Sequence, residues 1–168
     1  PISEASLLEI HLRKALGLAK KYARPMPVYM MTSPVTHDDQ VAFLASHDRF
    51  GLSADDLMVF CQGTMPAVDA TTGQLLLAEK GELFLSPDGH GGTVAALAAS
   101  GAFDHMRQRG VEHLFYFQVD NPLAPVCDPE FVGYHLLAES ELTSLAIAKQ
   151  TPEDKLGNFV MVDGRMQV

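Results

Sequence analysis

Asp120 and Asn121 end the apolar run Leu114-Phe115-Tyr116-Phe117 and stand directly before a proline. A carboxylate in that position can hold a divalent cation against phosphates, because Mg2+ takes one or two protein carboxylates and leaves its remaining positions to phosphate oxygens and water. Two more polar pairs follow apolar runs in the same way: Thr32-Ser33 after Val28-Tyr29-Met30-Met31, and Gln62-Gly63 after Leu57-Met58-Val59-Phe60. The loop Ser86-Pro87-Asp88-Gly89-His90-Gly91-Gly92 opens a helical pattern, where backbone N–H groups can face a phosphate or a flat base. Ligands of open α/β sheets sit beyond the carboxyl ends of the strands, so these clusters could line one crevice.

Each cluster also has a purely structural reading. Asp120-Asn121-Pro122 is a good turn, since Asp and Asn bond local backbone and Pro fixes φ. Ser86-Pro87-Asp88-Gly89 is a common β-turn and lacks the Lys and Ser/Thr of a P-loop. Gln62 reads equally as a solvated loop residue, and Thr32-Ser33-Pro34 as turn or capping chemistry. His37, His47, His105 and His113 have no metal-ligand spacing, and neither an HExxH pair nor a GxSxG elbow occurs. His90 differs by lying inside the glycine loop, where bonding to backbone accounts for it as well as contact with a substrate does.

The elements that must position these residues alternate between helix and strand. Leu7, Leu8, Ile10, Leu12, Ala15, Leu16, Leu18 and Ala19 recur at helical spacing and predict a helix over 4–22, capped by Ser3 and stopped at Arg24-Pro25. A strand over 27–31 follows, then a helix over 38–47 capped by Thr36, a turn at Phe50-Gly51-Leu52, and a strand over 57–60. Residues 68–78, with Thr72-Gly73 between apolar stretches, read as a hairpin-like surface insertion. Thr93 is placed to cap the helix carrying Val94, Leu97 and Ala98, and a further helix to Gln108 meets a glycine stop at Arg109-Gly110. Residues 111–119 suit a central parallel strand covered on both faces. A helix begins at Asp128 or Pro129 and runs through Leu137, with strands expected over 142–148, 158–162 and 166–168. The order implies an α/β sheet covered by helices, with an added β region.

Composition narrows the classes of function. A chain of 168 residues that is 47% hydrophobic can bury one domain core, and it contains no apolar run approaching a bilayer span. That pattern predicts a soluble cytoplasmic protein with no membrane partner. A formal charge of −9 argues against nucleic acid, whose binders carry a basic face. Positive charge for a bound nucleotide must then come from elsewhere, and Mg2+ is the natural source. Cys61 and Cys127, 66 positions apart, form no CxxC pair and read as reduced thiols.

Taken in order, Met31-Thr32-Ser33, Phe50-Gly51-Leu52, Phe60-Cys61-Gln62-Gly63 with Met65-Pro66-Ala67, the 86–92 loop, Val119-Asp120-Asn121 and Asp128-Pro129-Glu130-Phe131-Val132-Gly133 resemble the UDP-sugar pyrophosphorylase (UTP:sugar-1-phosphate uridylyltransferase) family. Within it the sequence is most similar to the UDP-N-acetylglucosamine branch. The resemblance implies a GT-A-like, Rossmann-related nucleotidyltransferase fold, a mixed sheet with helices on both faces, of which residues 1–168 would be the central part of a single catalytic domain, incomplete at both ends. It implies an enzyme that joins UTP to a sugar 1-phosphate, giving UDP-sugar and pyrophosphate. By the same resemblance, Ser33, Gln62 and the backbone of Gly89 lie on the nucleotide side, with Gln62 and Gly89 reading the uracil. Asp120 holds Mg2+ against the phosphates, His90 lies beside the sugar or its phosphate, and Lys149 stands on the sugar-phosphate side.

Two departures from the family pattern bear on this expectation. N-acetylglucosamine enzymes often carry Asn where His90 stands, and a Gly-His-Gly loop resembles the UDP-glucose and broad-specificity members. The glycine-rich phosphate loop of the family is expected before residue 1 and the rest of the sugar pocket after Val168, so the segment alone is expected to be inactive. A noncatalytic module that binds a nucleotide or UDP-sugar is the alternative reading.

Overall fold

The computed structural model describes residues 4–151, 153–154 and 157–167, so the expected cap at Ser3 and the strand end at Val168 fall outside it. Two compact units are present, one running to Val126 and the other from Cys127.

In the first unit, α1 (Leu7–Tyr22) is capped by Ser6, whose hydroxyl accepts from the Glu9 N–H at 3.1 Å, and it ends at Ala23 in the left-handed region. Strand β1 (Val28–Thr32), helix α2 (His37–Ser46) and strand β2 (Leu57–Cys61) follow. Thr36 occupies the expected cap position, but its side chain bonds Ser33 and not the α2 amides. The turn between α2 and β2 runs through Asp48, Arg49, Phe50 and Gly51, all at positive φ.

β1 and β2 pair in parallel, from Val28 opposite Leu57 to Thr32 opposite Cys61. Successive strand residues face opposite sides, so each apolar strand feeds two cores. Phe60, Ala96, Leu97, Ala102 and Met106 form one core with Tyr29, Met31 and Met58 packed on it; this is the side of α3 (Thr93–Ala99) and α4 (Ala102–Gln108). Leu12, Leu44, Leu52 and Leu57 form the other with Val28, Met30 and Val59, on the side of α1 and α2. Helices therefore cover both faces of a parallel ladder, as the alternation implies. Among the described residues that ladder has two strands, not the larger mixed sheet expected.

The segment after α4 departs most from expectation. Residues 111–118 join no ladder among the described residues, and their burial alternates, with Phe115 and Phe117 half-buried and Leu114 and Tyr116 more than half exposed. An apolar run supplies faces to bury, but a strand also needs a regular ladder with a partner backbone, and residues 111–118 take no strand assignment among the described residues. Residues 142–148 are likewise irregular instead of a strand. Thr93 is no cap either: its backbone is already helical, Gly92 precedes it, and its hydroxyl is buried without a hydrogen bond.

The insertion expected at the surface is a long antiparallel structure. β3 (Thr64–Pro66) pairs with β6 (Leu85–Pro87), and β4 (Leu77–Glu79) with β5 (Glu82–Leu83), and these strands are largely exposed. At its tip the Asp69 carboxylate accepts from the Thr71 and Thr72 amides, which settles the Thr72-Gly73 turn.

At the amino end of β2, Arg109 donates to the Asp55 carbonyl at 2.9 Å and pairs with the Asp56 carboxylate. The Ser53 hydroxyl, 2.7 Å from the other Asp56 oxygen, and then the Arg109 guanidinium hold Asp56 below the usual carboxylate range. A depressed folded-state value means that this stability is present above the unfolded value and disappears as pH falls through the folded one. Asp56→Asn is therefore expected to flatten the decline of the urea midpoint below about pH 4. An unchanged acid limb would remove Asp56 from it.

The second unit contains α5 (Pro129–Leu137) and the hairpin β7 (Val160–Val162) and β8 (Arg165–Gln167). Asp128 caps α5 by accepting from the Glu130 and Phe131 amides, and Pro129 fills the first helical position, as its missing N–H permits. Asp163-Gly164, both at positive φ, makes the hairpin turn. No helix among the described residues is long and apolar enough to cross a membrane.

Candidate functional site

The site begins where β1 and β2 end side by side. Thr32, the last residue of β1 and 3% exposed, donates its hydroxyl proton to the Phe60 carbonyl at 3.1 Å. A hydroxyl has one proton, so the 2.7 Å contact with His37 Nδ1 is a ring N–H donating to Thr32 Oγ1. The Gln62 N–H donates to the Thr32 carbonyl at 2.8 Å, which extends the ladder by one bond.

The hairpin stem then delivers the glycine loop. Because Thr64 stands opposite Pro87, the residues just outside the stem meet: the Asp88 N–H donates to the Gly63 carbonyl at 3.0 Å, and the Gly89 N–H donates to Gln62 Oε1 at 3.0 Å. An N–H can only be met by the amide oxygen, so the Gln62 Nε2 donor remains for a ligand, while the Gly89 carbonyl, at the start of the one-turn helix Gly89–Gly92, keeps a second lone pair beyond the bond of that turn. Gly89 has a φ of +67°, a conformation that favours glycine.

Asp88 explains two other glycines. A Cβ on Gly63 would lie 2.6 Å from its carboxylate, and one on Gly92 would lie 2.1 Å away. The carboxylate fits in the space those missing side chains leave, and its Oδ1 is buried without a hydrogen bond.

His90, exposed in the one-turn helix Gly89–Gly92, bonds through Nδ1 to the Tyr116 hydroxyl, with the two rings edge-on at 5.9 Å. Tyr116 belongs to the segment 111–118, and Asp120 lies four residues further along in an exposed turn. Two side chains of α1 anchor that turn. His11 Nε2 bonds the Val119 carbonyl at 3.0 Å, and Lys14 Nζ donates to the Pro122 carbonyl and, at 3.1 Å, to that of Ala124.

The structure thus joins Gln62 to Gly89 directly and His90 to the segment leading to Asp120. No hydrogen bond connects the Asp120 carboxylate to the other site residues among those described. Ser33 is half-buried, with its hydroxyl 3.0 Å from that of Thr36, so the turn reading accounts for the contact it makes. Lys149 is half-buried in irregular chain of the second unit.

Sequence reasoning missed Tyr116, His11 and Lys14. Their partners lie 26 and 108 to 110 residues away, and no local pattern encodes that.

No group of three or more His, Cys, Asp or Glu side chains gathers to hold a metal among the described residues. A lone exposed carboxylate fits Mg2+ in one way, as a single protein ligand with phosphates and water completing the shell.

A parallel ladder with polar residues at its carboxyl ends, a glycine loop fastened to one of them and an exposed acidic turn is an arrangement in which an open α/β sheet can take a ligand beyond its strand ends. The family described as UTP-glucose-1-phosphate uridylyltransferase matches residues 2–168, and the chain belongs to it. UDP-N-acetylglucosamine diphosphorylase 2 of Arabidopsis thaliana is 36% identical over 139 residues, covering 82% of this chain and 28% of that protein. UDP-N-acetylglucosamine pyrophosphorylase of Saccharomyces cerevisiae is 32% identical over 158 residues, 92% of this chain and 33% of the yeast protein. Among solved structures, a putative UDP-N-acetylglucosamine pyrophosphorylase of Entamoeba histolytica superposes with a TM-score of 0.84 at 29% identity, over 97% of this chain and 42% of that one. The Trypanosoma brucei enzyme, solved with an inhibitor, gives 0.85 at 27% identity, over 96% of this chain and 34% of that one. The chain spans about a third of the yeast relative's length and less of the Arabidopsis one.

Proposed function

We propose that the protein carrying this chain is a uridylyltransferase that joins UTP to N-acetylglucosamine 1-phosphate and releases pyrophosphate. Residues 1–168 are then the central part of its GT-A-like, Rossmann-related catalytic domain. Family membership and the names of the relatives support the reaction class. The observation that carries the nucleotide side is the bond between Gly89 N–H and Gln62 Oε1. It leaves a donor on Gln62 beside an acceptor on Gly89, complementary to the uracil edge with its N3–H and adjacent carbonyl.

In the reaction a sugar-phosphate oxygen attacks the α-phosphorus of UTP in line, forming a new P–O bond as the bond to the β-phosphate oxygen breaks. Such a transfer depends on positioning and charge neutralisation more than on covalent help from the protein. Asp120 holds Mg2+, which when bound neutralises phosphate charge that an acidic chain cannot. Gln62 and Gly89 orient the base, and Ser33 lies on the nucleotide side at the end of β1. His90, held at Nδ1 by Tyr116, keeps Nε2 for the sugar or its phosphate.

The test is pyrophosphate release by the full protein from UTP and a panel of sugar 1-phosphates. Release with N-acetylglucosamine 1-phosphate as the fastest substrate is expected. UDP-sugar binding with no turnover of any of them would replace this reading with a noncatalytic module.

A further inference from the structure

We infer that His11 and Lys14 of α1 are positioning residues that fix the Asp120 carboxylate by gripping the backbone on either side of it. The inference rests on the reading of Asp120 as the Mg2+ carboxylate. The grip itself is independent of that reading.

Residues 111–118 join no ladder among those described, and the turn's own hydrogen bonds are local: Asn121 N–H to the Gln118 carbonyl at 3.2 Å, and Ala124 N–H to that of Asn121 at 3.1 Å. Long-range hydrogen bonds reach the turn from α1.

His11 is 5% exposed, packs against Phe117 with the rings tilted at 51° and 4.8 Å apart, and meets the Val119 carbonyl at 3.0 Å. A carbonyl only accepts, so the ring carries its proton on Nε2, while Nδ1 is buried without a partner. That bond ends one residue before Asp120.

One helical turn on, Lys14 places an ammonium between the carbonyls of Pro122 and Ala124, which begin one residue after Asn121. Hydrogen bonds from a charged donor are roughly twice as strong as neutral ones. Residues at i and i+3 share one helix face, so a single rigid helix holds both flanks of the acidic pair. Neither side chain bonds the carboxylate, which stays exposed. A group that had to accept a cation would be left open in this way, whereas a structural aspartate would be bonded like Asp69 or Asp128.

Lys14→Met in the full protein separates this role from a general effect on folding. Hydrogen exchange followed by mass spectrometry should show residues 118–126 exchanging at least tenfold faster, with other segments unchanged and Lys14→Arg close to the parent. His11→Phe, which keeps the ring but loses the bond, should give the same local pattern. In turnover, Lys14→Met should raise the Mg2+ concentration for half-maximal rate about tenfold while leaving kcat at saturating Mg2+ within threefold. Unchanged exchange over 118–126, or exchange that rises throughout the protein, would overturn the grip. Faster local exchange without a shift in Mg2+ dependence would overturn the positioning role. Full activity in Asp120→Asn would instead remove the metal reading of Asp120 and leave the exchange result standing.

Discussion

Asp120→Asn is expected to lower kcat/KM for UDP-sugar formation by roughly a thousandfold, about 4 kcal/mol of transition-state stabilisation, while the melting temperature stays within a degree or two. The small effect on folding follows from the position of the side chain. It is exposed, lies in a turn whose bonds are made by backbone, and has no side-chain partner to lose among the described residues. The large effect on turnover follows from charge. An acidic chain with a formal charge of −9 needs a cation to accept the phosphates, and Asn preserves the shape of Asp while removing the negative charge that would hold one. Steady-state kinetics over a Mg2+ titration, with calorimetric melting of the same samples, decides it. Unchanged turnover would take Asp120 out of the mechanism and return Asp120-Asn121-Pro122 to the simple turn its composition also describes.

How far the fold could be read from the sequence depended on the range of the interactions. α1, β1 and β2 were legible because helical spacing and short apolar runs are local signals, and the glycine after Arg109 and the Asp128-Pro129 start of α5 are local as well. Residues 111–119 suit a central strand by pattern yet take no strand assignment among the described residues, because periodicity reports only which side chains are buried. Whether another backbone pairs with them is decided elsewhere in the chain. Ser3 and Thr93 fit the composition of caps, but Ser6 and Gly92 hold those positions because the helices begin one turn later and one residue earlier, respectively.

The site was legible in part, as an ordered set of residues. Gln62 and the 86–92 loop could be named from the resemblance, yet what unites them is the β3–β6 stem, which as sequence looks like an exposed insertion with no bearing on chemistry. The antiparallel register is the physical reason that residues 27 apart bond each other. Tyr116, His11 and Lys14 could not be found without the fold, since each acts through a distant partner.

Gly92→Ala tests whether the loop's glycines serve close approach or only flexibility. The Cβ would stand 2.1 Å from the Asp88 carboxylate, so the carboxylate must leave its place between Gly63 and Gly92. Overpacking of this kind costs about 1–3 kcal/mol, and the displacement falls on the residue preceding Gly89, which bonds Gln62. UTP affinity is therefore expected to drop at least tenfold together with a lowered melting temperature, both measurable by calorimetry on the full protein. Gly91→Ala is the control, because its Cβ would meet nothing within 4 Å and its φ is not positive. It should be close to neutral. Adding Asp88→Gly to Gly92→Ala removes the clash, so the double variant should regain much of the lost stability, a coupling that separate effects on the two residues would not produce. Equal losses in Gly91→Ala and Gly92→Ala would show that the loop needs glycine for backbone freedom, and the packing of Asp88 would then have no part in shaping the nucleotide side.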